Sequence, residues 1–415
     1  MLSYDLIIIG AGPAGMTAAI TASKKVKHIL LIDHADKIGR KLLVTGNGRC
    51  NLTNDDQDLS CYRSDSRDRV KEVLAACDRS ATDLFFQSLG IYTHSRDGYI
   101  YPYNDQAASV RDAFEVRITS DPHITVLTSL HVDAVRHDKK GYHVQAGRQR
   151  YHSVSLILTT GGYAGPKCGC DGSGYAFAEQ LGHQLIPTYP ALTALKSPAP
   201  FLKKISGVRN RAGITLVING QASCRETGEL QWTDYGISGV AIFQLSRYAI
   251  LAMEQGHKVT LSLDLLPDLP EEACLELLDR YRQTCSYKNS RELLEGFLPA
   301  KLVPVLLREA RVEADRAVGR LSQEDMKSIN KAIKTFSLRI HGYMGYDKAQ
   351  VTRGGVNLEE VSSSLESIYH EGLFFAGEIL DVDGACGGYN LQWAFSSGHV
   401  AGEAAARYTE RKRSL

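Results

Sequence analysis

The sequence predicts an α/β fold: a Rossmann-type parallel sheet written in two stretches of chain, with a domain of small β-structure and a helical lobe inserted between them. Three observations carry that expectation. The chain opens on a strand, a glycine turn, a helix, a second strand and an acid. Its texture changes at a cluster of prolines near residue 190, and a strand followed by a glycine-opened helix stands close to its end.

Asp5 to Ile9 reads DLIII, with the length and β-branched content of a buried parallel strand. It runs into Gly10, Gly12 and Gly15, spaced G-x-G-x-x-G, and then into Met16-Thr17-Ala18-Ala19-Ile20, a small-residue helix start. A second apolar run, His28 to Ile32, ends in Asp33. That order binds a dinucleotide. Gly10 lets the chain turn off the strand, Gly12 lets a pyrophosphate approach the backbone, and Gly15 lets the helix sit close to the sheet. The phosphates then meet the free N–H groups and positive end of that helix. Asp33 stands 18 residues beyond Gly15, near the spacing of about 20 expected for the acid that accepts ribose hydroxyls. The apolar stretch from Leu6 to Ala22 could mimic a leader or a membrane span. Met1 to Asp5 carries no positive charge, however, and the glycines would weaken a spanning helix.

A chain of 415 residues has room for two or three domains with real cores. Its 48 basic and 47 acidic side chains leave a net charge of +1, so no global field recruits nucleic acid or an anionic membrane. Neither is an expected partner; a small-molecule substrate is. The nine cysteines are odd in number and scattered, unlike a disulfide framework. A reducing cytoplasm is the expected location.

In order after Asp33 comes a loop, His34 to Asn54, rich in glycine and in Lys37, Arg40, Lys41 and Arg49, which suits close backbone approach to a cofactor. Residues 66–89 read as helix. A hairpin turns at Asp97-Gly98, a helix follows from about Ala107 to Arg117, and Ile124–Leu127, His131–His137 and Tyr142–Gln145 read as strands. Val154 to Thr159 is a buried strand ending in Thr160-Gly161-Gly162, and a glycine pair at such an end is where a ligand lies in an open α/β sheet. Beyond the prolines, Asn219-Gly220 marks a type I′ hairpin, and Glu271 to about Lys334 is charged, Leu-rich helix. The first domain resumes near Gln350, with strand Leu373–Ala376 and a helix from Leu391 opened by Gly387-Gly388-Tyr389-Asn390.

With these pieces in hand the chain resembles a bacterial family of FAD-binding oxidoreductases that includes aminoacetone oxidase and dehydro-bile-acid reductase, the BaiN-type flavoproteins. The resemblance covers essentially the whole length. It rests on Gly10-Ala11-Gly12-Pro13-Ala14-Gly15, on Thr45-Gly46-Asn47-Gly48-Arg49-Cys50-Asn51-Leu52-Thr53-Asn54, on Tyr235-Gly236-Ile237-Ser238-Gly239, and on Gly377-Glu378 with Asp381 through Gly387-Gly388-Tyr389-Asn390-Leu391-Gln392-Trp393. It implies an FAD-binding domain at 1–190 and 347–415. The insert covers 191–346, its β part about 191–265 and 336–346 and its helical part about 266–335. It also implies non-covalent FAD. Adenosine and pyrophosphate binding carries over to Gly10, Gly12, Ala14, Gly15 and Asp33, with Lys41 flanking them. Asn47, Gly48, Arg49 and Asn51 are expected along the flavin, and Gly377, Glu378, Asp381, Gly388, Tyr389 and Asn390 closing over it. Val132, Thr160, Gly161 and Gly162 complete the expected cofactor contacts. The helix behind Gly388 supports this physically, because its N–H groups suit the negative edge of a reduced flavin.

One stretch departs from the family pattern: Cys168-Gly169-Cys170 stands where small hydroxyl residues are usual, and Ser173 where Asp is common. A lone C-x-C does not make a zinc site, which wants four ligands, and no metal is expected.

The expected activity is an NAD(P)H-linked flavin reductase or dehydrogenase that passes hydride through flavin N5 to an organic substrate. No second G-x-G-x-x-G follows a strand, so NAD(P)H would be a diffusible reductant. The alternatives are an amine oxidase releasing peroxide and a non-catalytic, flavin-bearing or RNA-associated protein. Candidate catalytic groups are Arg49 and Tyr389, with Tyr235, His341 and Tyr343 in the insert.

Overall fold

Leu2–Ile9 is a strand whose inner half, Asp5–Ile9, is wholly buried, as a parallel strand covered on both faces must be. It pairs in parallel with Ile29–Ile32 on one side and with Gln149–Leu158 on the other. Ile124–Leu127 and Leu373–Phe375 extend the sheet at either end. The order reverses at the first strand, and a crevice opens outside the carboxyl ends at such a switch. Ile9 lies level with both Ile32 and Leu158. Gly10, Asp33 and Thr159 therefore leave the sheet side by side. An antiparallel hairpin, Ala134–Asp138 with Gly141–Ala146, pairs along the first half of Gln149–Leu158.

This computed structural model describes residues 2–414. The chain divides into two compact units, Met1–Pro190 with Gln350–Leu415, and Ala191–Ala349. In the first, the helix Pro13–Ala22 is almost entirely buried, and the long closing helix Tyr389–Arg413 packs against it and against the sheet. Phe86 meets Phe114 and Phe395 edge to face, 4.9 Å from Phe395, while Phe114 and Phe395 stack, and the three rings lock helices Arg79–Ser88 and Ala107–Thr119 to the closing helix.

Local chemistry shifts several expected boundaries. The helix expected over 66–89 is two, Arg67–Ala76 and Arg79–Ser88, because the Asp78 carboxylate accepts the Ala81 N–H at 2.8 Å and starts the second. The strand expected from His131 begins at Ala134. The loop after Asp33 contains tight helical turns over Arg40–Gly48, broken by left-handed Gly46 and Asn47.

The second unit is a seven-stranded antiparallel sheet. Its longest hairpin, Arg209–Ile218 with Gln221–Trp232, turns through Asn219 and Gly220, both at positive φ as a type I′ turn requires. Helices Glu271–Thr284, Ser290–Leu294, Val303–Ala310 and Gln323–Lys334 form the lobe beside it. Among the described residues no helix is long and apolar enough to cross a membrane.

One buried group makes the first unit sensitive to acid. His183 lies out of solvent with Nδ1 3.2 Å from Glu360 Oε2 and Nε2 2.8 Å from Ser367 Oγ. Burial pulls its pKa below the ordinary value more strongly than Glu360 raises it, and burial does the same to His399. The fold thus holds these rings neutral, while the unfolded chain takes up protons near pH 6.5. Stability is complete above about pH 6.5 and falls below it, by up to about 1.4 kcal/mol per pH unit per group, until the lowered native values are reached. Denaturant midpoints at pH 7.5 and 5.5 check this, and His183→Gln is expected to flatten the difference.

Candidate functional site

At the carboxyl ends of the central strands lies a narrow cleft of about 30 Å³, lined by Ile9, Gly10, Asp33, His34, His131, Val132, Thr160, Ser173 and Phe177 among others. Its floor is the glycine turn. An atom added at Gly15 would stand 1.9 Å from the Gly10 carbonyl oxygen, so only glycine lets the helix start this close. Gly12 is the opposite case, with nothing within 4 Å of where its Cβ would be. No side chain caps the helix that begins at Pro13, so its first N–H groups face that open space.

Asp33 is already oriented. One carboxylate oxygen accepts the Ala11 N–H at 2.6 Å and the other the Ala35 N–H at 2.7 Å, so the acid fixes the glycine turn and keeps lone pairs for a hydroxyl. Thr160 Oγ1 is buried with no hydrogen-bond partner among the described residues. An open cradle, an uncapped helix start, an aimed carboxylate and an orphaned hydroxyl together fit the pyrophosphate and ribose of a dinucleotide.

Beyond this cleft, Lys41 Nζ donates to Glu378 Oε2 at 2.6 Å, and Glu378 Oε1 accepts the Thr352 N–H at 2.9 Å. Burial lowers the Lys41 pKa, but Glu378, with Cys170 and Cys168 behind it, raises it by more, so the ammonium is held charged. Burial pushes the Cys170 thiol up to about 11. Among the described residues no cysteine is in a disulfide, and no three His, Cys, Asp or Glu side chains converge as a metal would need.

The second end of the site is the start of the closing helix. Gly388, at φ +94°, sets its first turn, and no side chain caps it. Several loops are tied to this start. Asn51, with its amide turned to match its neighbours, accepts the Gly388 N–H at 3.1 Å and donates to the carbonyls of Thr53 and Ile100. Asn54 donates to the Gly387 carbonyl at 2.9 Å. Asn390 accepts the Gly384 N–H at 2.7 Å and donates to the Gly384 carbonyl at 3.0 Å. Gly377 approaches Ala14, where a Cβ on Gly377 would lie 2.8 Å from that of Ala14, so this loop meets the opening turn.

Sequence reasoning marked Asn51 and Asn390 as cofactor contacts, and their side chains here bridge loop to loop. Tyr389 is buried, its ring edge-on to Tyr62 at 5.5 Å. Burial, with Cys61 against its hydroxyl, raises its pKa far above the usual range, which makes that hydroxyl a poor proton donor. Asn47, Gly48 and Arg49 are exposed, and Arg49 enters no ion pair among the described residues. Asp381 is buried, and its N–H donates to the Val356 carbonyl. Gly161 stands near Cys170 Sγ, and Gly162 near Thr352 and Tyr175. Tyr235, His341 and Tyr343 belong to the second unit: Tyr235 and His341 are exposed there, and Tyr343 donates to Glu254 Oε1 at 2.7 Å.

The sequence reading overlooked Thr352. Its Oγ1 accepts the N–H groups of Tyr163 and Ala164 at 2.9 and 3.0 Å, pinning the turn after Gly162. It also overlooked His34 and His131, whose rings lie 6.0 Å apart beside Asp171 at the cleft's edge.

Comparison with known proteins agrees with this geometry. A family model described as the HI0933-like protein Rossmann domain matches residues 4–404. The 3-dehydro-bile acid delta(4,6)-reductase of Clostridium scindens is 39% identical over 402 residues, 96% of this chain and 98% of that protein. The ribosomal RNA dihydrouridine synthase of Escherichia coli is 32% identical over 399 residues, 96% of each chain. Among solved structures, 3-ketosteroid delta1-dehydrogenase from Sterolibacterium denitrificans covers 98% of this chain and all of its own length, with a TM-score of 0.52 and 11% identity, a likeness of fold. The chain is therefore a flavoprotein oxidoreductase, and it belongs to the HI0933-like Rossmann-domain family.

Proposed function

We propose that the protein is an FAD-dependent reductase that adds hydride to a ring C=C bond conjugated with a carbonyl group, with NAD(P)H as the diffusible reductant. The observation that carries this reading is the pair of uncapped helix starts, one behind Gly12 and one behind Gly388, in two loops that meet where Gly377 approaches Ala14. An extended molecule with a phosphate middle and an electron-rich ring end suits both. The substrate class follows from the relatives. Their names describe saturating a steroid ring and a uracil ring, and each such double bond is polarised by a ring carbonyl.

In this reading Gly10, Gly12, Ala14 and Gly15 hold the pyrophosphate, Asp33 the ribose, and Val132, Thr160, Gly161 and Gly162 the adenosine side. Lys41 and Glu378 brace the middle as an ion pair. Gly377, Asp381, Gly388, Tyr389 and Asn390 enclose the ring end, with Tyr389 acting through its backbone N–H and Gly388 held in place by Asn51. Bound FAD would supply hydride transfer at its N5. Asn47, Gly48 and Asn51 shape the loop along the ring. Arg49, exposed and in no ion pair among the described residues, stabilises negative charge that builds on the substrate carbonyl oxygen as hydride arrives at the β-carbon. Tyr235, His341 and Tyr343 are candidates for the substrate side because they lie in the insert.

Anaerobic mixing of the yellow protein with NADH or NADPH tests the reading. Bleaching of the flavin, followed by reoxidation on adding a conjugated cyclic enone, is expected. A flavin that neither nucleotide bleaches, in a protein that releases peroxide with aminoacetone, would point to the oxidase instead.

A further inference from the structure

Between Gly162 and the helix Ser173–Gln180 the first unit carries a short loop that the proposed reaction leaves unused. The loop is fixed at both ends. Thr352 pins its start through the N–H groups of Tyr163 and Ala164. Near its end Gly172, at φ +74°, lets the backbone pass the Tyr163 ring, where an added Cβ would stand 2.0 Å from a ring carbon. Between these anchors a tight turn, Pro166–Cys168, is followed by left-handed Gly169, at φ +97°, and then by Cys170. The Cys168 N–H donates to the Gly165 carbonyl at 2.8 Å, and the Gly169 N–H to the Pro166 carbonyl at 3.1 Å. Gly169 and Ser173 both line the cofactor cleft.

The chain itself brings the two thiols together. Standing two residues apart, their Cα atoms lie at most about 7 Å from each other. A left-handed residue between them shortens that span into the roughly 4.4–6.8 Å that a disulfide accepts. Both cysteines also share a neighbour. Lys41 Cε lies 3.7 Å from the position of a Cβ on Gly165, and Cys168 Cβ lies 3.9 Å from the same point. Cys170 Sγ lies 3.7 Å from the corresponding point on Gly161. The charge of the Lys41 ammonium, held by Glu378, acts on both sulfurs, and the sulfurs act on each other. A cation beside a thiol favours the thiolate, the form that oxidants meet. The two cysteines differ in access, for Cys168 is partly exposed at the turn and Cys170 is buried. Burial pushes the Cys170 thiol up while Lys41 pulls against it, so the inner thiol waits protonated. An accessible thiol followed by a sheltered one is the arrangement of an attacking and a resolving cysteine.

We infer that Cys168 and Cys170 are a redox-active pair, which hydrogen peroxide oxidises to a disulfide beside the cofactor cleft. The Cys168 thiolate attacks peroxide: an S–O bond forms, the O–O bond breaks, and the hydroxide that leaves takes up a proton as water. The Cys170 sulfur then attacks the Cys168 sulfur. The S–S bond forms, the S–O bond breaks, and the second oxygen leaves as water with the Cys170 proton. Two thiols give up two electrons in all, and one peroxide becomes two waters. Dioxygen yields peroxide when it meets a reduced flavin, so a flavoprotein encounters this oxidant at its own site. The inference goes beyond the reductase reading and does not rest on it, since peroxide from any source serves.

Mass spectrometry tests the pair without turnover. Trypsin releases both cysteines in one peptide, residues 168–196. FAD-loaded protein is treated with a small excess of hydrogen peroxide, quenched with catalase, denatured, alkylated with N-ethylmaleimide and digested. Untreated protein is expected to give this peptide with both thiols labelled. Treated protein is expected to give it unlabelled and lighter by two hydrogen atoms than the dithiol, and dithiothreitol before alkylation is expected to restore both labels. In Cys170→Ser the sulfenic acid on Cys168 has no resolving partner and is expected to be trapped by dimedone. In Cys168→Ser, Cys170 is expected to keep its label. Two labels after peroxide treatment of the wild type overturn the inference. So does oxidation of Cys168 to sulfinic acid while Cys170 stays labelled, or a Cys168→Ser protein whose Cys170 is oxidised as fast as in the wild type. The wild-type measurement stands without either variant, and it reads the same whether or not NAD(P)H bleaches the flavin.

Discussion

A Gly12→Val variant is expected to fold as the wild type does and to purify colourless. Gly12 has an ordinary extended backbone, φ −75° and ψ −176°, which valine adopts without strain. No atom lies within 4 Å of the added Cβ, so the polypeptide itself offers no clash. The structural cost is that of a poorer helix cap, about 1 kcal/mol. The branched side chain instead fills the space in front of the first helical N–H groups, where the pyrophosphate must lie to use them. FAD affinity is expected to fall at least a hundredfold, about 2.7 kcal/mol or more. Absorbance near 450 nm per mole of desalted protein measures this, beside thermal unfolding of both proteins without cofactor. Gly15→Ala is the control for a structural glycine: its Cβ would meet the Gly10 carbonyl at 1.9 Å, so it should lose fold and colour together. A Gly12→Val protein that stays yellow would remove the pyrophosphate from this turn.

How far the sequence reveals the molecule depends on the range of the interaction. The fold class was legible because each signal is local: an apolar run, three glycines at fixed spacing and an acid after the next strand. The Asn219-Gly220 turn was legible for the same reason. The boundary at Asp78 was missed, because the apolar pattern runs across it and hid the capping acid. What could not be read were partners chosen across the chain. Lys41 meets Glu378 over 337 residues of separation, and Asn54 meets Gly387 over 333. Polar side chains in a glycine-rich loop look like ligands for a cofactor. Asn51 and Asn390 show the competing demand, since a folded loop must also satisfy its own backbone groups. The Asp33 carboxylate serves both ends, holding the Ala11 N–H that shapes the turn while facing the cleft.

Breaking the Lys41–Glu378 pair is expected to have the largest effect on stability of any single charge change in the site. Both side chains are only about a fifth exposed, so each would be left largely desolvated without its partner. Glu378→Gln keeps the shape and can still accept the Thr352 N–H, so it isolates the charge. About 2–4 kcal/mol of destabilisation is expected, and Lys41→Met should cost a similar amount. The double variant should recover about 1–3 kcal/mol of the sum, because the orphaned partner is gone as well. The pH dependence has a definite sign. The Lys41 pKa is raised in the fold, so the pair's contribution is complete below the unfolded value near 10.5. It is lost only as pH rises through the higher native value, which leaves the neutral range flat. Glu378 also holds Thr352, and Thr352 pins the turn that follows Gly162. Loosening that chain should weaken FAD retention in both single variants, even where neither residue touches the cofactor. Denaturant unfolding of cofactor-free protein gives the energies, and FAD titration of the same samples gives retention. Additive single and double variants would show that the two charges act independently, and the brace would then lie elsewhere.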